Sequence, residues 1–191
     1  MTKNKSQIVI LFGRSGCGKG TQANLLIKNF GFEYLGSGAL LRERITQEDF
    51  TGKKLKEVLD QGELVPTPIM FRVWAEKVEE MREKINKNGL IIDGSPRALL
   101  EAELMDHVFK WYGWKDIKVI LLDIPEQEAF DRLIKRHRND DKPEAIEERL
   151  AYFKKDVQPA INYYKKQGRL IKVDGYKSIK DVYDEIKKTI Q

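Results

Sequence analysis

The residues Gly13-Arg14-Ser15-Gly16-Cys17-Gly18-Lys19-Gly20-Thr21 have the types and spacing to hold a chain of phosphates. Glycines let a backbone wrap round an anion with its N–H groups inward, and a helix opening after the loop adds its positive end. Lys19 stands where an ammonium reaches the terminal phosphates. The spacing from Gly13 to Gly18-Lys19 matches the phosphate-loop template. Gly20 replaces its Ser or Thr, and a hydroxyl follows one residue later at Thr21. An apolar run, Gln7-Ile8-Val9-Ile10-Leu11-Phe12, precedes the loop and a helical pattern follows it. That is the setting the motif needs, so the chain is expected to bind a nucleoside triphosphate.

Other reactive groups are sparse. Cys17 is the single cysteine, which rules out an internal disulfide and fits a reducing, cytoplasmic setting. A thiol at a helix N-terminus can be activated, but a small residue tolerated in the loop is the plainer reading. His107 and His137 are too few and too far apart for a metal or nucleophile site, although His137 stands between Arg136 and Arg138 and could touch phosphate.

The elements that must position the loop alternate between strand and helix. The 191 residues are enough for one domain with a real core. Hydrophobic residues at 41% exclude a disordered chain, and charged residues at 34% point to long helices with solvated outer faces. The net charge of +5 is mild and fits a polyphosphate pocket without calling for nucleic acid. No apolar stretch approaches the ~20 residues of a membrane span. Short, nearly unbroken apolar strands are expected at 7–12, 89–93 and 117–122, with further strands at 33–35 and 170–173. Helices are expected at 21–30, 39–48, 53–60, from Pro66 and Pro68 to Lys87, at 98–111, 126–135 and 143–166, and from Ser178. Such alternation implies an α/β fold whose parallel sheet has right-handed crossovers. Two stretches do not feed the sheet, Ser37 to Pro68 and Arg136 to Lys142.

Four segments together resemble the adenylate kinase family: Gly13 to Gln22, Ser37-Gly38 through Arg42, Asp93-Gly94-Ser95-Pro96-Arg97, and Arg132 to Arg149. Val173-Asp174-Gly175 extends the likeness over almost the whole chain. The resemblance implies a three-layer P-loop fold with five parallel strands in the order 2-3-1-4-5 and helices on both faces. It implies one kinase domain over 1–191, with core segments 1–36, 69–135 and 143–191, a monophosphate-binding lobe at 37–68 and a very short lid at 136–142. It further implies a nucleoside monophosphate kinase running ATP + AMP = 2 ADP with Mg2+, as a cytoplasmic monomer whose partners are ATP and a nucleoside monophosphate, with no nucleic acid and no membrane.

Phosphoryl transfer between two nucleotides needs both held in line, their charge neutralised and water excluded. Lys19, Arg42, Arg97, Arg132, Arg136, Arg138 and Arg149 supply cations, and guanidinium forks suit phosphate oxygens. By resemblance, Lys19, Arg97, Arg136, Arg138 and Arg149 form the catalytic set. The ATP site takes Gly13, Ser15, Gly16, Cys17, Gly18, Lys19, Gly20, Thr21, Arg136 and Lys177, with Arg132 stacking on its base. The monophosphate site takes Ser37, Gly38, Leu40, Arg42, Glu63, Leu64, Val65, Gly94, Arg97, Glu101, Arg138 and Arg149. Asp93 matches the acid that holds Mg2+ through water, with Thr21 a possible second ligand. A strand-end Asp can instead cap the following helix.

The chain departs from the family pattern at Ser15, Cys17 and Ala39, at Ser95 where phenylalanine is usual, and at Glu101 where glutamine is usual. A glutamine amide both donates to and accepts from adenine, whereas an ionised glutamate only accepts. Acceptor specificity is therefore expected to be altered or loosened. Two alternatives remain: a UMP/CMP-type kinase, and an adenylate-kinase-like ATPase switch that binds RNA or protein.

Overall fold

A computed structural model describes residues 6–136 and 142–191. His137, Arg138 and the paired acids Asp140-Asp141 lie outside the described residues. The elements run β1 (Ile8–Phe12), α1 (Lys19–Phe30), β2 (Glu33–Gly36), α2 (Ser37–Ile45), α3 (Phe50–Asp60), α4 (Thr67–Asn88), β3 (Leu90–Asp93) and α5 (Leu99–Trp111). They continue with β4 (Ile117–Asp123), α6 (Glu126–Arg136), α7 (Pro143–Tyr152), a π-helical turn (Phe153–Val157), α8 (Gln158–Lys166), β5 (Leu170–Asp174) and α9 (Ile179–Ile190).

The strands form one parallel sheet in the order β2-β3-β1-β4-β5, as the sequence led one to expect. Central β1 is wholly buried and splits its side chains between two cores. Ile8, Ile10 and Phe12 join Trp74, Phe109 and Tyr164 in one, while Val9 and Leu11 join Ala23, Leu26, Leu122 and Ile186 in the other. Burial on both faces is why these strands read as unbroken apolar runs.

Local signals set the helix ends. Gly31, in the left-handed region, closes α1 by donating its N–H to Ile27 O at 2.7 Å. Asp49 caps α3 by accepting from Gly52 N at 2.7 Å and pairs with Arg44. The Arg44 hydrogen bond foremost, then the Gly52 N–H, draws the Asp49 carboxyl down to about 2. Pro68 stands in the first turn of α4, where a missing N–H costs nothing.

The expected single helix over 143–166 is divided. Gln158 donates its N–H five residues back to Phe153 O, which makes Phe153–Val157 a π turn, and Pro159 follows at once. Proline has no N–H for the carbonyl four residues earlier and its ring crowds that position, so the ladder is re-spaced before it. The extra residue turns Tyr152, Phe153 and Val157 toward the cavity described below.

Phe109, 1% exposed, stacks edge-on with Trp74 and lies beside Trp114. Phe109→Ala is expected to destabilise the fold by about 3–5 kcal/mol. Urea denaturation of both proteins measures this, and a loss under about 1 kcal/mol would contradict the assigned packing.

Candidate active site

β1, β2 and β3 end on a cavity of about 540 Å³, lined by Phe12, Gly36 and Asp93 and by the loops that follow them. Open α/β sheets bind ligands at this end of their strands. On one side lies the loop from Gly13 to Lys19. Gly13 and Gly16 have φ of 143° and 85°. A Cβ on Gly13 would stand 2.5 Å from Leu122 O, and one on Gly16 would stand 2.6 Å from Ala129 O. Only glycine satisfies both the torsions and the close approach. Lys19 curls over this loop, its Nζ donating to Gly13 O at 2.8 Å and Arg14 O at 3.0 Å and lying 3.7 Å from Cys17 Sγ. Phosphate oxygens can take the place of those carbonyls.

The opposite side carries Ser37, Gly38, Arg42, Glu63, Gly94 and Arg97. Arg97 is held on three sides. Its Nε donates to Gly94 O at 2.7 Å, its Nη1 to Tyr152 OH at 2.9 Å, and its Nη2 lies 3.4 Å from Ser37 Oγ. Arg132, Arg136 and Arg149 complete the wall from α6 and α7. Arg132 is tied to Glu128 at 2.6 Å and reaches Gly175 O at 3.4 Å. Asp93 accepts from Tyr34 OH at 3.1 Å, and both line the cavity with Thr21.

The cavity thus brings together Gly13, Ser15, Gly16, Gly18, Lys19, Gly20, Thr21, Ser37, Gly38, Arg42, Glu63, Asp93, Gly94, Arg97, Arg132, Arg136 and Arg149. Other expected site residues fall outside its lining. Cys17 is 3% exposed with its sulfur turned into the loop, which suits the plainer reading of a small tolerated residue. Leu40 is buried and Leu64 and Val65 pack on the core, while Leu41 lines the cavity instead. Lys177 pairs with Glu185 in a separate charged cluster with Asp123, Lys172 and Asp174. Arg138 lies outside the described residues.

Glu101 also departs from expectation. It is buried in the first turn of α5 and reaches back, Oε2 accepting from Arg97 N at 2.8 Å. Its Oε1 and the neighbouring Ser95 hydroxyl have no hydrogen-bond partner, and neither residue lines the cavity. A carboxylate at this helical position can reach back and accept from a free N–H before the helix, which competes with pointing outward.

Sequence reasoning missed Tyr34, Asn24, Leu41, Tyr152 and Phe153 as lining residues. The proline at 159, after a run readable as one helix, was the available sign of the re-spaced turn that presents Tyr152 and Phe153.

A family model described as "Adenylate kinase" matches residues 11–169. The chain belongs to the adenylate kinase family. It is therefore a P-loop nucleoside monophosphate kinase by descent and by fold. Among its curated relatives, the adenylate kinase of Caldicellulosiruptor bescii is 32% identical over 95% of this chain and 98% of that protein. Adenylate kinase from Thermus thermophilus is 32% identical, with 95% of each chain covered. That of Bacteroides fragilis is 33% identical over 95% and 97%.

Burial pushes the Glu101 carboxyl above its ordinary value, opposed foremost by the hydrogen bond from the Arg97 N–H and also by the Arg97 guanidinium. Between the ordinary and the raised value, the folded carboxyl keeps its proton while the unfolded chain has lost it. Stability then falls as pH rises from the ordinary carboxylate range through the raised value. Glu101→Gln removes this loss. Its thermal midpoint relative to the parent is expected to be higher at mildly alkaline than at mildly acidic pH. Paired melts at the two pH values check this, and an equal difference at both would contradict the assigned direction.

Proposed function

We propose that the protein transfers the terminal phosphoryl group of ATP reversibly to a nucleoside monophosphate, with AMP the principal acceptor: ATP + AMP = 2 ADP. One observation carries this reading. Lys19 on the donor side and Arg42 and Arg97 on the acceptor side line one cavity, with Arg132, Arg136 and Arg149 along its wall. Two anionic reactants approach in line only between such cations. The relatives' name, adenylate kinase, supports AMP as acceptor. A switch ATPase that transfers nothing to a nucleotide has no need of Arg42 and Arg97 facing the phosphate loop.

In this proposal the Gly13–Lys19 backbone and Lys19 hold the donor phosphates, Arg42 and Arg97 grip the acceptor phosphate, and residues 37–68 form the lobe around the acceptor. Arg136 and Arg149 neutralise the group in transit. Asp93 and Thr21 offer hard oxygen ligands, which fits a Mg2+ held mainly by phosphates and water. Among the described residues no group of three or more His, Cys, Asp or Glu could cage a metal by itself. Bound there, Mg2+ would neutralise phosphate charge. A reducing, cytoplasmic setting fits the single, buried, unpaired cysteine, and no described helix is long and apolar enough to cross a membrane.

ADP formation is expected to depend on added nucleoside monophosphate, and Lys19→Met or Arg97→Ala to cut turnover about a hundredfold or more. A coupled assay measures both; phosphate release that ignores the acceptor, or near-parental rates in either variant, would refute the roles. Because Glu101 turns to Arg97 N and does not line the cavity, it presents no glutamine-like amide to the acceptor base, and the lead of AMP over GMP, CMP and UMP is expected to stay under about a hundredfold. Relative kcat/KM across the four acceptors measures it, and a larger lead would count against loosened selection.

A further inference from the structure

Two aromatic residues stand side by side where α7 passes into the π turn, and each meets an arginine from a different phosphate-binding loop. The Arg97 guanidinium lies 5.8 Å from the Tyr152 ring centroid and donates to its hydroxyl. The Arg14 guanidinium lies 5.0 Å over the Phe153 ring. Arg14 is the second residue of the phosphate loop, yet its side chain leaves the loop and does not line the cavity. Its Nη1 donates to Ile124 O at 3.3 Å and lies 3.5 Å from Asp123 Oδ1, and its Nε lies 3.8 Å from Glu126 Oε2. Lys154, next to Phe153, meets the same Glu126 carboxylate at 2.9 Å.

Arg14 therefore joins the phosphate loop, the end of β4, the start of α6 and the π turn. Its backbone belongs to the donor side as well, since Arg14 O accepts from Lys19 Nζ. Arg149, which lines the cavity, precedes Phe153 by four residues, so anchoring Phe153 fixes the turn below it. Guanidinium groups hold aromatic faces by attraction to the ring quadrupole, more strongly when both are shielded from water. The Arg14 side chain is 17% exposed and Phe153 is 6% exposed.

We propose that Tyr152 and Phe153 form a bracket that sets the separation between the donor-phosphate loop and the acceptor-gripping Arg97, and that Arg14 is the positioning residue tying the loop to it. This rests on the phosphoryl-transfer reading above. In-line transfer is sensitive to displacement of about an ångström, so a loosened bracket slows the chemical step while leaving each nucleotide's own contacts in place.

The test is steady-state kinetics with both nucleotides varied, on the full chain and on Arg14→Ala, Phe153→Leu and the double variant. Each single change is expected to lower kcat on the order of tenfold with both KM values within about threefold, and the double variant to lose little more than either. Phe153→Tyr, which keeps the ring face, is expected to lose several-fold less than Phe153→Leu. A kcat within about twofold of the parent in either single variant overturns the proposal. So do losses that multiply in the double variant, or equal losses in Phe153→Tyr and Phe153→Leu. Should Arg14→Ala fail to fold, the two Phe153 variants decide the matter alone. Failure of the transfer reading shows separately, as no acceptor-dependent ADP formation by the unmodified protein.

Discussion

The molecule depends on a loop that can close only because two other backbones approach it. Leu122 O beneath Gly13 and Ala129 O beneath Gly16 leave no room for a side chain, and both glycines stand at positive φ. That contact packs the β1–α1 turn against the end of β4 and the first turn of α6. The inward N–H groups, the place of Lys19 and the start of α1 all follow from it. Phosphate recognition here is a property of backbone packed on backbone, with a single ammonium added.

Around that fixed point the cations come from separate elements. Arg97 follows β3, Arg42 lies on α2, Arg132 and Arg136 on α6, and Arg149 on α7. None is near another in the chain except within α6. Their convergence is achieved by neutral or oppositely charged supports: Gly94 O, Tyr152 OH and Ser37 Oγ for Arg97, and Glu128 for Arg132. A charged side chain aimed at a ligand needs a second partner to aim it, and the structure supplies one in both cases.

Much of this was legible in the sequence. The loop, the five strands and their two-sided burial follow from glycine spacing and unbroken apolar runs, which are local signals. What escaped is long-range or turns on a single step of register. Leu40 and Leu41 are both apolar helix residues, and only packing of α2 on its neighbours decides that Leu41 meets the cavity. Glu101 has the place in the chain that suggests base recognition, yet a free N–H four residues back claims its carboxylate. Arg14 reads as a loop residue beside a phosphate site, and only β4, α6 and the π turn together show that it faces away. Lys177 has a partner eight residues on in Glu185, an attraction invisible to motif matching.

The way Lys19 is held has a consequence for the empty and filled molecule. Its ammonium is solvated by the loop's own carbonyls, so an arriving phosphate exchanges one set of oxygens for another and need not strip water from a bare ion. Arg97 and Arg132 are likewise held by protein partners, Gly94 O with Tyr152 OH for one and Glu128 for the other. Anionic nucleotides bound among these cations would add their binding free energy to the folded state by mass action, which makes the substrates counter-ions of the fold as much as its cargo.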